Sequence, residues 1–259
     1  MKKNHFYFLS LALILSFSGN LFGQDSLDLN STFPEGITIE YGIGNYAVID
    51  DYISTEKYSG SMPYYRILWT KTHDDYVYHL GIDYQYSSDI KNNNVSTDIY
   101  QFTLNQGFDY ALPKFTLFNN DAFLYLGPST ELFFYYNNQN IAVSGFDYAQ
   151  SFALLISLGV SSELYYRLSN NFYIETSLDF DLLSLGFRMV DSEETDESPV
   201  KLLTVISATN TVFRFGPRYY LLDNLSIKAA YLFNLTRISA WEPLLSASDN
   251  VVFTLTYGF

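Results

Sequence analysis

The last nine residues, Val251-Val252-Phe253-Thr254-Leu255-Thr256-Tyr257-Gly258-Phe259, decide the fold. Every odd-numbered position in this stretch is apolar or aromatic, whereas the even-numbered positions are mostly Thr or Gly. Successive side chains of a β-strand point to opposite faces, so the pattern predicts a strand with one apolar and one polar face. A soluble protein would bury the apolar face in its core, but this strand runs to the end of the sequence and ends on an aromatic ring.

The same alternation recurs upstream. It predicts further strands with an outward apolar parity at residues 37–43, 64–69, 78–86, 100–105, 122–135, 152–166, 174–182, 202–218 and 227–235. The run 202–218 is the least regular, because polar side chains between Ser207 and Thr211 share the parity of Phe213, so a bulge or a wet stretch is expected there. With the terminal strand, the sequence predicts an all-β, antiparallel, up-and-down transmembrane β-barrel of ten strands. Eight strands is the alternative, if two of these runs are not strands.

The connections between the predicted strands alternate in kind. The odd-numbered links are long and polar and are expected outside the cell, at 48–58, 87–97, 137–148, 191–199 and 237–250. Most even-numbered links are tight and are expected in the periplasm, at 71–75, 167–171 and 219–224. The exception is 111–121, which is longer than a turn and is expected to extend a strand or to fold beneath the barrel. Short periplasmic turns and longer outer loops are typical of outer-membrane barrels.

The N-terminus has the organisation of an export signal. Lys2 and Lys3 precede an apolar run at 6–17, which is too short to span a bilayer and is followed by small residues. We therefore expect a signal peptide at 1–23 with cleavage after Gly23. A short periplasmic N-terminal segment at 24–35 and the outer-membrane β-barrel at 36–259 would follow it.

The composition also favours a membrane barrel. Aromatic residues make up 19% of the chain, with 24 Tyr and 22 Phe, whereas charged residues make up 16%. No segment after the signal has 18 continuous apolar residues, which excludes transmembrane helices on length. Tyr and Phe in such number suit a wall that meets lipid tails in the middle and head groups at two rims. The chain has no Cys, and therefore no disulfide, lipoprotein anchor or thiolate metal site.

Several segments together resemble one family. Gln24 at the expected new N-terminus, the Tyr- and Phe-rich strands, Leu124-Tyr125-Leu126-Gly127-Pro128-Ser129-Thr130-Glu131-Leu132 and the terminal Tyr257-Gly258-Phe259 look like the small outer-membrane β-barrel proteins of Bacteroidota. These are often called the porin family, or the outer membrane protein beta-barrel domain. The resemblance implies location in the cell outer membrane, with Tyr257 and Phe259 as the assembly signal that the barrel insertion machinery reads. The family includes proteins of undetermined role and a component of a secretion apparatus, so the resemblance implies no catalytic residue.

The inward parity of the predicted strands places charged side chains in the lumen. They are Glu40, Arg66, Asp83, Asp109, Glu131, Glu163, Glu175, Asp179, Asp181, Arg214, Arg218 and Lys228. An isolated charge in a low-dielectric interior is very costly, so these side chains must pair or be hydrated. Pairing predicts a plugged lumen, which the side chains of a small barrel can nearly fill. Hydration predicts a narrow pore that prefers cations, since the acids outnumber the bases.

The sequence contains no convincing catalytic constellation. The segment 73–75 holds a His beside two Asp residues, which is an ordinary composition for a polar turn, and His79 is predicted near the periplasmic end of its strand. Asp179 and Asp181 share one face, where acid–base work is chemically feasible, but ion pairing is the expected role. We therefore expect a protein that is not an enzyme, with no cofactor and no metal site.

The charge of the chain bears on its partners. Without Lys2 and Lys3, 12 basic residues remain against 28 acidic ones, which gives a formal charge of −16. Such a charge excludes nucleic acid as a natural partner. The predicted outer loop 191–198 carries five acids and no base. It is expected to be solvated or, alternatively, to bind divalent cations beside anionic lipopolysaccharide.

Three functions are consistent with these observations. The first is a structural or interaction barrel, with a secretion-accessory role in an envelope protein complex. The second is a narrow, cation-preferring diffusion channel, and the third is an outer-membrane hydrolase, which lacks a visible nucleophile and base. The expected partners in every case are outer-membrane lipid, lipopolysaccharide and the barrel insertion machinery.

Overall fold

The computed structural model describes residues 35–73, 76–92, 95–143, 146–188 and 198–259. In these residues the chain forms thirteen β-strands and no helix. The strands are β1 (Gly36–Asp50), β2 (Ser54–Ser61), β3 (Tyr64–Thr72), β4 (Tyr76–Lys91), β5 (Ser96–Ala111), β6 (Phe115–Leu117), β7 (Asn120–Val143), β8 (Phe146–Ser169), β9 (Phe172–Arg188), β10 (Val200–Thr204), β11 (Ala208–Leu222), β12 (Leu225–Ile238) and β13 (Leu244–Gly258). Within this part of the chain, no helix has the length and apolarity needed to cross a membrane.

Some sequence-based predictions fall outside the described residues. They are the signal peptide at 1–23, the segment 24–35 except for its last residue, and the acidic loop 191–198 except for its last residue.

Ten of the strands form a closed antiparallel barrel. Around the wall the order is β1, β3, β4, β5, β7, β8, β9, β11, β12 and β13. The last strand pairs with the first along its whole length, from Gly36 opposite Gly258 to Asp50 opposite Leu244. A closed wall leaves no unpaired strand edge in the hydrocarbon region, which is the condition for crossing a bilayer with strands. The predicted fold and the count of ten strands are confirmed.

The two ends of the barrel differ. One end carries the start of β1 and the end of β13, together with tight turns such as the one at residues 170 and 171; we call it the termini end. The opposite end carries the longer hairpins, and we call it the hairpin end.

Three short strands lie outside the ten. β2 pairs with the part of β1 nearest the hairpin end, and β10 pairs with the corresponding part of β9. β6 forms a tight hairpin with the start of β7. Residues 111–121 therefore contain a separate short strand in a hairpin, where an extension of a strand or a fold beneath the barrel was expected.

The predicted long links are mostly not loops. β1 continues to Asp50, β4 to Lys91 and β7 to Val143, so that much of 48–58, 87–97 and 137–148 is strand. Outward side chains toward the hairpin end of the wall are often polar, as at Asn45 and Asp249, which lie opposite each other on β1 and β13. Polar side chains outside the lipid-facing belt gave these residues the composition of a loop, although their backbones stay paired.

The irregular run 202–218 consists of two strands. β10 ends at Thr204 and β11 begins at Ala208, and between them the Ser207 N–H donates to the Thr204 carbonyl over 2.8 Å. The structure therefore shows a break with a tight turn where a bulge or a wet stretch was expected.

A bulge in β9 lies beside this break. Leu182 is an extra residue between Asp181 and Leu183, which lie opposite consecutive residues of β8. The Val205 N–H donates to the Leu182 carbonyl over 3.1 Å, so the two irregularities are in direct contact. The extra residue resets the parity of β9, and this turns Arg188 into the barrel.

The outer wall carries a belt of exposed apolar side chains. On β1 and β13 these are Ile37, Ile39, Tyr41, Ile43, Val251, Phe253, Leu255 and Tyr257. On the same strands the inward side chains Glu40 and Thr254 are buried. An apolar exterior around a polar interior is the reverse of a soluble protein and is what a lipid bilayer requires.

Aromatic rings border the belt in two groups on the outer surface. Near the hairpin end, Tyr86 stacks on Tyr100 with 4.6 Å between ring centroids, and Tyr100 lies 6.0 Å from Tyr136. Near the termini end, the centroid of the Tyr78 ring lies 5.8 Å from that of Trp69 and 5.0 Å from that of Phe108. Paired girdles of this kind mark the two membrane interfaces of a transmembrane barrel. Closure, belt and girdles make the chain an integral β-barrel of the cell outer membrane.

Two apolar clusters fill the ends of the interior. The hairpin-end core consists of Tyr46, Val48, Tyr58, Met62, Ile90, Ile99, Phe133, Tyr135, Ala153, Leu155, Leu203, Ala208, Ile238, Trp241 and Leu244. The termini-end core consists of Val77, Phe123, Tyr125, Tyr165 and Tyr173. The charged part of the lumen lies between these two cores.

Candidate functional site: the lumen charge network

A polar cavity of about 100 Å³ occupies the middle of the barrel. All twelve side chains that the inward parity predicted line it, namely Glu40, Arg66, Asp83, Asp109, Glu131, Glu163, Glu175, Asp179, Asp181, Arg214, Arg218 and Lys228. The strand period brings them together, because each lies on the inward face of its own strand. Tyr257 and Phe259 lie elsewhere, on the outer surface at the termini end, with 54% and 69% of their surface exposed.

Arg66 on β3 pairs with Asp83 on the adjacent β4. The Arg66 Nε lies 3.3 Å from Asp83 Oδ1, and Arg66 Nη2 donates to Asn105 Oδ1 over 3.4 Å. Asn105 Nδ2 in turn donates to Asp83 Oδ2 over 3.3 Å. The amide therefore bridges the two charged groups and closes a three-residue network.

Arg214 on β11 connects three other strands. Its Nη1 lies 3.4 Å from Asp179 Oδ2 on β9, its Nε lies 3.9 Å from Glu40 Oε2 on β1, and its Nη2 donates to the Tyr64 hydroxyl over 3.0 Å. Glu40 also accepts a hydrogen bond from the Thr254 hydroxyl over 3.2 Å. One guanidinium thus serves two carboxylates from opposite directions.

Glu175 on β9 is held by two bases. Arg218 reaches it with two nitrogens, through a close Nε–Oε1 contact and through Nη2, which lies 3.2 Å from Oε2. Lys228 Nζ lies 3.1 Å from the same Oε2. Arg218 Nη1 donates to the Ser226 hydroxyl over 2.9 Å and to the Thr256 hydroxyl over 3.2 Å. Paired, well-satisfied charges of this kind are how a barrel interior tolerates ions.

The other four carboxylates lack such partners. Among the described residues, Asp109, Glu131, Glu163 and Asp181 have no Lys or Arg nitrogen within 4.0 Å. Glu131 accepts from Asn210 Nδ2 over 2.7 Å and Glu163 from the Tyr165 hydroxyl over 2.9 Å, whereas Asp109 accepts from the Ser161 hydroxyl and also contacts His79.

The four carboxylates without a Lys or Arg partner share one side of the barrel. They lie on β5, β7, β8 and β9, which are neighbours in the wall, and we call this side the acid-rich wall. The bases lie on β3, β11 and β12, on the other side. The excess of acid that the sequence showed is therefore concentrated on one half of the lumen.

His79 is a lumen residue that the sequence analysis assigned no role. Its Nδ1 lies 2.9 Å from Asp109 Oδ2 on β5, and its ring covers Gly107 on that strand. A Cβ at Gly107 would lie 2.6 Å from the His79 Nε2, so only glycine allows this ring position. The sequence contains a signal for this position, because His79 shares the inward parity of Asp83 on the same strand.

A second buried ion pair lies in the hairpin-end core. Arg188 Nη2 lies 2.5 Å from Asp50 Oδ1, and Asp50 Oδ2 accepts from the Tyr135 hydroxyl over 3.1 Å and from Asn137 Nδ2 over 3.4 Å. The sequence analysis missed it because Asp50 and Asn137 fell in predicted loops, and because the bulge at Leu182 hid the inward parity of Arg188.

The chemistry open to this site follows from its groups. The four bases stabilise the lumen by ion pairing, whereas the acid-rich wall presents carboxylate, hydroxyl and amide oxygens. Asp179 and Asp181, which the sequence placed on one face, differ in surroundings, because Asp179 pairs with Arg214 and Asp181 has no base beside it. Within the described residues, no three His, Cys, Asp or Glu side chains converge as a metal-binding group.

Comparison with known proteins adds the fold alone. No protein-family model matches the chain, and no curated protein matches it. Among solved structures, it is similar to the outer membrane protease OmpT from Escherichia coli, at 9% identity and a TM-score of 0.49 over 87% of this chain and 97% of that one. Neisserial surface protein A matches at 10% identity and a TM-score of 0.37, over 88% and 99% of the two chains.

The translocator domain of the autotransporter NalP from Neisseria meningitidis is a further similar structure. It matches at 12% identity and a TM-score of 0.40, over 98% of this chain and 95% of that one. These likenesses are too distant to carry an argument about activity.

Proposed function

We propose that this protein is a plugged outer-membrane barrel with a structural or interaction role, as an accessory of an envelope or secretion complex, and that it is not an enzyme. The observation that carries the proposal is the hairpin-end core, which fills the interior beyond the charged cavity. Its members include fully buried Phe133, Tyr135 and Leu155, which project from neighbouring strands into the lumen. We expect packed side chains of this size to block a continuous water path, because the interior of a small barrel can be nearly filled by side chains.

The termini-end core supports the same proposal. Tyr125 and Tyr165 meet edge to face with 5.8 Å between ring centroids, and Tyr173 meets Tyr220 in the same way at 5.6 Å. The charged cavity therefore has packed rings on one side and an apolar cluster on the other. The resemblance to small barrels of Bacteroidota, which include a secretion component, favours the accessory role. Partners in this proposal are lipopolysaccharide, the barrel insertion machinery and an envelope complex.

One observation favours a second function, a narrow cation-preferring channel. The acid-rich wall lines one side of the cavity with carboxylates that have no Lys or Arg partner among the described residues. Carboxylates along a water-filled path select cations. This function requires the hairpin-end core to open.

Conductance of the purified protein in planar lipid bilayers tests the proposal. Insertion is verified first by heat-modifiable migration, so that a silent membrane is not mistaken for a missing protein. We expect no steady current. Steady ohmic channels with cation preference would reject the plug and support the channel. A pull-down from native outer membranes with a tagged chain then tests for complex partners.

A further inference from the structure

Two carboxylates of the acid-rich wall lie together without a base. Glu131 projects from β7 and Asp181 from β9, on either side of β8, and both contact Asn210. Glu131 Oε1 accepts from the Asn210 side-chain Nδ2 over 2.7 Å, and Asp181 accepts from the Asn210 backbone. Two buried carboxylates repel when both are ionised, and burial makes the repulsion stronger than it would be in water. The pair therefore needs a positive charge that no described Lys or Arg supplies.

The surroundings of the Asp181 carboxylate indicate where a cation would bind. Its side chain lines the cavity and only 5% of the residue is exposed. The Ser157 hydroxyl and the Asn210 backbone contact it, but Asp181 Oδ2 is buried and has no hydrogen-bond donor among the described residues. A buried carboxylate oxygen without a donor is costly, and such atoms in folded proteins usually have a partner.

The surroundings specify the kind of ligand. Besides the two carboxylates, the Ser129 hydroxyl lines the same cavity. The Asn210 amide is already engaged, because its Nδ2 donates to Glu131 and its Oδ1 accepts from the Thr236 hydroxyl, so carboxylate and hydroxyl oxygens are the ligands that remain. Such oxygen ligands suit hard cations, and Ca²⁺ in particular accepts irregular shells of carboxylates, neutral oxygens and water. The charge of the pair equals that of one divalent ion. A cavity of about 100 Å³ has room for the ion together with water ligands.

We propose that a hard divalent cation of the Ca²⁺ class binds inside the lumen between Glu131 and Asp181. Two carboxylates make a site of modest affinity, on the order of 0.1 to 1 mM, as in extracellular calcium modules. The proposal goes beyond the plugged-barrel function and does not depend on it, since a site on the wall exists whether or not the lumen conducts.

Thermal unfolding of the EDTA-stripped barrel in detergent, with and without Ca²⁺, tests the site. At about tenfold saturation we expect Ca²⁺ to raise the unfolding midpoint by on the order of 3 to 6 °C. Equilibrium dialysis with radiolabelled Ca²⁺ measures the same event directly, and it is done in a barrel that carries Glu193→Gln and Glu194→Gln. These substitutions remove charge from the acidic loop, which is the competing place for Ca²⁺.

Isosteric variants locate the ion. Asp181→Asn and Glu131→Gln should each abolish the Ca²⁺-induced shift, and each should raise the midpoint of the stripped protein because the repulsion is gone. Asp179→Asn is the matched control: it lies on the same strand and faces the same cavity, but its partner is Arg214. It should lower the midpoint and keep the Ca²⁺ shift.

The outcomes are distinguishable. A midpoint that Ca²⁺ leaves unchanged, with no label retained in dialysis, would mean that the pair is neutralised by a proton and would overturn the proposal. A full Ca²⁺ shift in both Asp181→Asn and Glu131→Gln would also overturn it, because the ion would then bind elsewhere. Conductance is measured separately, so a failure of the plugged-barrel function leaves these results unaffected.

Discussion

Arg188 and Asp50 form an ion pair inside the apolar hairpin-end core, with Arg188 Nη2 2.5 Å from Asp50 Oδ1 and neither side chain more than 2% exposed. The Arg188 guanidinium carbon also lies 6.0 Å from the centroid of the Tyr52 ring. The pair joins β9 to β1 at the hairpin end, and these two strands lie on opposite parts of the wall. It therefore ties the packed end of the barrel together across the lumen.

Removing one partner of this pair should destabilise the barrel strongly. In Arg188→Met, Asp50 stays buried with only the Tyr135 hydroxyl and the Asn137 amide as donors. We expect a loss of about 3 to 5 kcal/mol in the free energy of unfolding, measured by urea titration in detergent. Arg237→Met, on the exposed outer face of β12, should change it by less than about 0.5 kcal/mol.

The double variant Asp50→Asn with Arg188→Met leaves no charge behind. It should regain a large part of the lost stability, because an uncompensated charge is the main cost in the single variant. A double variant as unstable as Arg188→Met alone would show that packing, rather than charge, dominates at this position.

The bases of the charged cavity should stabilise the barrel by neutralising acids. Arg214→Ala leaves Glu40 and Asp179 without their cation, and we expect a loss on the order of 3 kcal/mol, discounted because a third of the Asp179 side chain is exposed. Arg66→Ala should act in the same direction through Asp83. Urea unfolding midpoints measure both.

Lys114→Ala is the control for these changes. Lys114 also pairs with a carboxylate, Asp121, at 3.2 Å, but the Lys114 side chain is 46% exposed, so its loss should cost at most about 1 kcal/mol. If Arg66→Ala and Arg214→Ala proved as mild as Lys114→Ala, the cavity would be water-filled. The two substitutions should then increase cation preference in bilayers.

The terminal aromatic residue should be required for assembly. Phe259 is exposed on the outer surface, and its N–H donates to the Glu35 carbonyl over 2.9 Å, next to the seam between β13 and β1. Deleting Phe259 should reduce the amount of heat-modifiable protein in the membrane fraction. Leu245→Ala, at the other end of the same strand, should leave that amount unchanged. Equal insertion of the deletion variant and the intact chain would remove the role assigned to this residue.

The hairpin end is expected to face the outside of the cell. An epitope inserted between Glu194 and Thr195 should be labelled on intact cells, because the described residues on either side of this link, Arg188 and Ser198, lie at the hairpin end. An epitope between Asn170 and Asn171, in a tight turn at the termini end, should be reached only after the outer membrane is opened. The opposite labelling pattern would invert the orientation of the barrel.

The sequence by itself determined the ten strands of the wall and the inward face of the twelve charged residues that line the cavity. The direction of a side chain such as Glu40 or Arg214 depends only on its place in a two-residue period, which is a local property that the neighbouring residues reveal. Barrel closure was equally predictable, because ten half-apolar strands have no other way to satisfy their backbones in lipid. Sequence-based prediction failed at the hairpin end, where the residues become polar but the backbone stays in paired strands. The composition of 48–50, for example, predicts a loop, whereas these residues continue β1.

Only the tertiary structure decided which charges meet. Arg188 and Asp50 are 138 residues apart in sequence, and their contact depends on strand order, on the stagger of the wall and on the one-residue bulge at Leu182. The tertiary structure also decided which lumen carboxylates are paired. Arg218 forms an ion pair with Glu175, whereas no described Lys or Arg forms one with Glu131 or Asp181. Whether two charged side chains pair depends on the distance between them inside the closed barrel. That distance is set by the hydrogen-bond register between strands, which the sequence of a single strand does not encode.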